Sequence, residues 1–150
     1  MAMLNEKVIG QLKQVFEGLS GPVKLVVFAQ GEDSSTSLEC QTCHETCQLI
    51  EEIAAVDERI TMEKYDLVED AAIAQQYGVD KIPAVAVLGG PEYKDWGIRY
   101  YGIPSGYEFG SLIETIVLVS KGEPGLYPKT MRELEKLTKP THIQVYVTPT

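Results

Sequence analysis

A chain of 150 residues has room for one full-sized domain and not for two. Hydrophobic residues at 44% and charged residues at 23% match ordinary globular usage, which excludes intrinsic disorder and fibrous repeats. Thirteen Lys and Arg against twenty-two Asp and Glu leave a net charge of −9, which opposes binding to phosphate backbones and anionic membranes, so neither nucleic acid nor a membrane is expected as a partner.

The first residues, Met1 to Lys7, lack a basic segment followed by an apolar run, and no stretch approaches the roughly 18 apolar residues of a membrane span, so a cytoplasmic protein is expected. Leu4, Val8, Leu12, Val15, Phe16 and Leu19 recur at spacings of three and four, the stripe of an amphipathic helix that Ser20-Gly21-Pro22 ends. Val23 to Ala29 is nearly continuous in apolar residues and rich in β-branched ones, as expected for a central strand covered on both faces. Gly31 to Glu39 is polar and reads as a loop. Cys43, Cys47, Ile50 and Ala54 then restore helical periodicity, which places a second helix start close to Cys40.

Ile60 to Asp66 reads as a short strand and Ala71 to Tyr77 as a short helix stopped by Gly78. Ala84 to Leu88 and Ile98 to Tyr101, joined through Gly89-Gly90-Pro91, should pair as a hairpin. A last long helix, capped by Ser105, carries Phe109, Leu112, Ile113, Ile116 and Val117 on one face and exits at Gly122 and Pro124. Beyond about Gly125 the pattern begins again: Thr130 and Glu133 fit a capping box, and Lys139-Pro140 precedes a strand-like Ile143 to Val147, repeating the opening helix, Pro22 and first strand.

Three cysteines within eight positions, Cys40, Cys43 and Cys47, are too few and too clustered for a secreted disulfide scaffold, and read instead as chemistry. A dithiol at the start of a helix gains most there. Exposed amides and the helix dipole stabilise a thiolate, lowering a cysteine pKa from about 8.5 to roughly 3.5 to 7.5. Cys40 is therefore the expected attacking thiolate. Two intervening residues bring Cys43 one turn away, near enough to close a disulfide and to resolve a mixed disulfide on Cys40. Cys47 falls on the apolar stripe and reads as a small buried hydrophobe, with an auxiliary redox role as the minor alternative. A Cys43–Cys47 bridge would require the helix to unwind, since Cβ atoms at that spacing lie about 5 to 6 Å apart.

Cys40-Gln41-Thr42-Cys43-His44 also matches the c-type haem attachment motif, and Cys40, Cys43, His44 and Cys47 are four nominal metal ligands. Haem attachment normally needs export, and ligands on one continuous helix diverge around its axis. No metal and no cofactor beyond a redox-active Cys40–Cys43 disulfide is expected. Ile82-Pro83 stands immediately before a strand, at the type of bond for which cis is cheap, about 0.5 to 1 kcal/mol.

Taken in order, these elements with Tyr77-Gly78-Val79-Asp80-Lys81-Ile82-Pro83 resemble a thioredoxin or glutaredoxin unit over about Pro22 to Lys121. More narrowly, Tyr77 to Val79 through Ile82-Pro83, then Gly97 to Gly106 with Glu108-Phe109, resemble the amino-terminal unit of the glutaredoxin-like protein disulfide oxidoreductases, which carry two thioredoxin-like units in tandem. The resemblance implies an α/β, thioredoxin/glutaredoxin-like fold, a mixed central sheet flanked by helices, with an extra carboxyl-terminal helix and strand. It divides the chain into a unit over 1–125 and, over 126–150, a linker helix and first strand of an incomplete second unit, cut before that unit's CXXC. That strand, 141–150, is a candidate edge for homodimer pairing.

The function implied is thiol–disulfide exchange on protein disulfide or dithiol substrates, with Cys40 and Cys43 catalytic and Ile82 and Pro83 binding the substrate strand. A thioredoxin-reductase-like electron donor is a possible partner. The competing reading is a redox-silent binding module whose cysteines are structural or hold metal.

Overall fold

The computed structural model describes residues 2–31 and 40–147; residues 32–39 of the polar loop and Thr148 to Thr150 of the tail lie outside it. Along the chain run α1 (Glu6–Phe16), β1 (Val23–Ala29), α2 (Cys43–Ala54), β2 (Ile60–Asp66), α3 (Ala71–Gln76), β3 (Ala84–Gly89), β4 (Lys94–Tyr101), α4 (Tyr107–Lys121) and α5 (Pro128–Leu134).

The strands form a four-stranded mixed sheet in the order β2-β1-β3-β4. β1 runs parallel to β2, with Val23 opposite Ile60, and antiparallel to β3, with Phe28 opposite Ala84; β3 and β4 form the antiparallel hairpin. β1 is thus central, as its near-continuous apolar run requires. Successive side chains on a strand point to opposite faces, and the two faces are filled differently. Leu25 and Val27 of β1, with Val85 and Val87 of β3, pack beneath α1, α2 and α4 among Leu12, Phe16, Ile50, Ile53, Leu112 and Ile116. Val26, Phe28, Ala84, Ala86 and Leu88 face α3 with Ala74 and Val79. The small Ala84 and Ala86 on that face sit with the larger Phe28, whose ring stacks on Tyr65 and lies tilted against Tyr77.

Polar groups close the element ends. Asn5 caps α1 by accepting the Val8 N–H at 2.9 Å. At the other end of α1, Arg59 donates to Phe16 O at 2.8 Å, which also accepts the Leu19 N–H, and to Leu19 O at 2.9 Å, while pairing with Asp57. Gly122 ends α4 in the left-handed region, φ 68°, the conformation that suits glycine.

The boundaries differ from expectation at four places. α2 begins at Cys43, not near Cys40: Gln41 and Thr42 form a turn, and the Thr46 N–H is the first to reach back, to Thr42 O at 2.9 Å. Gly106, φ 61°, replaces Ser105 as the residue that enters α4, and no side chain caps it. β4 starts four residues earlier than Ile98, its first half carrying a register shift opposite Ala86 to Leu88 and a left-handed Gly97. α5 starts at Pro128, so Thr130 and Glu133 lie inside it and form no capping box.

The extra carboxyl-terminal helix is present, but Ile143 to Val147 form no strand. A strand exists through its hydrogen-bonded neighbours, and none stands beside this segment among the described residues. Every described residue from Lys121 onward is exposed. No helix among the described residues is long and apolar enough to cross a membrane.

Candidate functional site

β1 and α2 meet at the site. β1 ends at Ala29, the chain leaves the sheet through Gln30 and Gly31, and it returns at Cys40 to enter α2. Cys40 and Cys43 are joined in a disulfide. Cys40 is partly exposed in the turn ahead of the helix, whereas Cys43, the first residue of α2, is only 5% exposed and belongs to the larger core cluster. Cys40 is thus the more exposed residue of the pair.

The disulfide lies in an open cavity of about 270 Å³ lined by Gln30, Gly31, Cys40, Cys43, His44, Cys47 and Lys64. Gln30 touches both halves of the dithiol: its main-chain N–H donates to Cys43 Sγ at 3.4 Å, and its side-chain Oε1 accepts the Cys40 N–H at 3.2 Å. Gly31 donates its N–H to a carboxylate oxygen of Asp66 at the end of β2, and the other Asp66 oxygen accepts the N–H groups of Val68 at 2.7 Å and Glu69 at 2.9 Å. The Glu69 and Gly31 amides, together with that of Val68, hold the Asp66 carboxyl below the ordinary range despite burial. Asp66 therefore ties the cavity wall to the β2–α3 turn.

Cys47 is the free cysteine. It is buried in the core and also reaches the cavity wall. Burial pushes its thiol up, with Lys64 acting in the opposite sense and Glu51 reinforcing the rise. This is the environment of an inert thiol. His44 is exposed beside the dithiol. Among the described residues, no three His, Cys, Asp or Glu side chains group to hold a metal ion.

The Ile82–Pro83 bond is cis. Pro83 is buried and its carbonyl accepts the Gly102 N–H at 2.9 Å. Neither residue lines the disulfide cavity; their relation to it runs through the sheet. Continuing the β1–β3 register past Phe28 and Ala84 sets Pro83 across from Ala29 and Ile82 across from Gln30, and Ile82 packs against both core clusters. Gln30, Lys64 and Asp66 were not named by the sequence pattern. The one signal for Gln30 is its place, directly after an apolar strand that leads to the CXXC.

A β2-β1-β3-β4 mixed sheet flanked by helices, with a cis-proline opening β3, is a thioredoxin-like fold, here carrying a CXXC disulfide at the start of α2. Two solved structures share it over most of the chain. The alkylhydroperoxide reductase protein AhpF of Enterococcus faecalis superposes with a TM-score of 0.76 at 27% identity, covering 91% of this chain and 62% of that one. A protein disulfide oxidoreductase from Aeropyrum pernix gives 0.73 at 25% identity, covering 89% and 55%.

In sequence the chain is similar to the corresponding alkyl hydroperoxide reductase protein of Staphylococcus epidermidis, 28% identical over 148 residues, and to an NADH dehydrogenase of Bacillus subtilis, 25% identical over 148 residues. It spans a quarter of the length of these curated relatives, 25% in each case. No protein-family model matches the chain. The resemblance to protein disulfide oxidoreductases thus has its structural counterpart, and the hydroperoxide reductase proteins are a kind of relative that the sequence motifs did not name. Together with the CXXC disulfide, these similarities support a thiol–disulfide redox function in general.

Proposed function

We propose that this chain is a protein disulfide oxidoreductase unit of glutaredoxin-like type, cycling between the Cys40–Cys43 disulfide and its dithiol. The observation that carries the reading is the asymmetry of the pair: Cys40 partly exposed in the turn before α2, and Cys43 5% exposed at its first residue. In the reductive direction the Cys40 thiolate attacks a substrate disulfide, forming a mixed disulfide and releasing one substrate thiolate. The Cys43 thiolate then bonds to the Cys40 sulfur, the bond from Cys40 to substrate breaks, and the second substrate sulfur leaves as thiolate. Two electrons pass to the substrate, and two protons from solvent complete its dithiol. An external dithiol donor, of the thioredoxin-reductase-like kind, resets the pair.

Ile82 and Pro83 position the extended substrate segment in this reading. The Pro83 carbonyl is engaged with Gly102, which leaves the main chain of Ile82 as the edge available to substrate. The hydroperoxide reductase relatives support a place for such a unit in electron delivery from a reductase to a disulfide-bearing protein.

The test is a thiol count coupled to turnover. Of three cysteines one is free in the oxidised chain. Denatured under alkylating conditions, the oxidised protein should show one thiol and the reduced protein three, and the chain should accelerate insulin reduction by dithiothreitol in a Cys40-dependent way. A count that ignores reductant, or a Cys40→Ser variant as active as the parent, would overturn it.

A further inference from the structure

The Gln30 side chain, directly after β1, makes a hydrogen bond to the partly exposed half of the dithiol. The bond from Cys40 N–H to Gln30 Oε1, 3.2 Å, joins positions ten apart in sequence, and the same residue's main-chain N–H holds Cys43 Sγ at 3.4 Å. Both sulfur-bearing residues are therefore referred to one point, the residue where β1 leaves the sheet. Cys43 has further support as the first residue of α2 and is buried in the core, while Cys40, ahead of the helix in the turn, is only partly buried where it packs against that core. Among the described residues, the charged and titratable groups around this point are His44 and Cys47 on α2 and Lys64 on β2, with the Asp66 carboxylate beyond Gly31.

We propose that Gln30 is the positioning residue of the dithiol: its neutral amide oxygen holds the Cys40 main chain so that, once the disulfide opens, the Cys40 sulfur stays within reach of Cys43. The proposal rests on the oxidoreductase reading above and specifies what sets its resolving step. In that step Cys43 must reach the Cys40 sulfur before the mixed disulfide is released by another thiol, and such an intramolecular step depends on how closely the two groups are held. An amide suits this task better than a carboxylate. Both accept the Cys40 N–H, but a carboxylate would set a negative charge beside the thiolate that forms on Cys40 and favour its protonated form.

The experiment compares the full chain with Gln30→Ala and Gln30→Glu, measuring the equilibrium potential of the Cys40–Cys43 pair in dithiothreitol buffers, the lifetime of the mixed disulfide, and the pH dependence of Cys40 alkylation. Loss of one such hydrogen bond corresponds to about a fivefold fall in the effective concentration of one thiol for the other. Gln30→Ala should therefore be about 20 mV less negative, at about 30 mV per tenfold for a two-electron couple, with a mixed disulfide about fivefold longer-lived. Gln30→Glu should keep the ring-closing rate within about twofold while shifting Cys40 alkylation to higher pH.

A wild-type chain whose thiol count does not respond to reductant overturns the oxidoreductase reading itself. A wild type that cycles, with Gln30→Ala matching it in potential and mixed-disulfide lifetime, overturns only the role of Gln30, whatever happens to melting temperature. If Gln30→Ala does not fold, Gln30→Glu decides: unchanged alkylation of Cys40 places the side chain elsewhere and sinks the proposal.

Discussion

Replacing Asp66 by Ala probes the link between the cavity wall and the sheet. The carboxylate accepts three main-chain N–H groups, from Gly31, Val68 and Glu69. A net contribution of about 1 kcal/mol per bond, with water able to reach part of this surface site, gives about 2 to 3 kcal/mol lost at pH 7. The same carboxylate makes stability depend on pH. Its folded pKa is depressed, so its contribution is fully present above the unfolded value near 3.9 and is lost as pH falls through the folded value. The wild-type chain should thus lose stability on acidification through that window, and Asp66→Ala should lose less. Urea unfolding of both proteins at pH 7 and at about pH 2.5 reads this directly, the gap between them closing at the lower pH. A difference under about 0.5 kcal/mol at pH 7, or a gap of equal size at both pH values, would refute the reasoning.

Three further outcomes are expected. Cys47→Ala should retain insulin reduction, since burial raises that thiol and it is not part of the disulfide, while unfolding at lower urea; loss of activity would give Cys47 a redox role. Gly89→Ala should destabilise the chain by about 1 to 3 kcal/mol, because a Cβ there would collide with the Val119 carbonyl at the end of α4; an unchanged urea midpoint would show that α4 can shift away at no cost. Removing 126–150 should leave the melting temperature within about 2 °C and disulfide exchange intact, because none of its described residues is buried; a fall of about 10 °C would make that segment part of the working unit.

The parts of the fold legible in the sequence are those set by local chain chemistry. β1 begins and ends where its apolar and β-branched run does, at Val23–Ala29, because burial on a sheet selects those side chains directly; β2 keeps the expected bounds, Ile60–Asp66, although only Ile60 of it is buried. The CXXC spacing and the proline before β3 were equally visible. What was not visible depends on partners distant in sequence. The first half of β4, Lys94 to Gly97, is polar or irregular and is a strand only because it pairs with Leu88 and Gly89. Ile143 to Val147 has the composition of a strand and is not one, since composition supplies no neighbour. Gln30 and Asp66 belong to the site through bonds to Cys40 and Gly31, ten and thirty-five residues away, and nothing in a polar stretch declares such bonds.

The central claim is that Cys40 attacks and Cys43 resolves. Its most direct test is the Cys43→Ser chain, reduced and then mixed with a disulfide-bonded protein, followed by peptide mass spectrometry of the non-reduced product. The account predicts a covalent adduct through Cys40 that accumulates because no resolving thiol is left, and that dithiothreitol releases. An adduct carried by Cys47, or none at all while Cys40 remains open to alkylation, would contradict it.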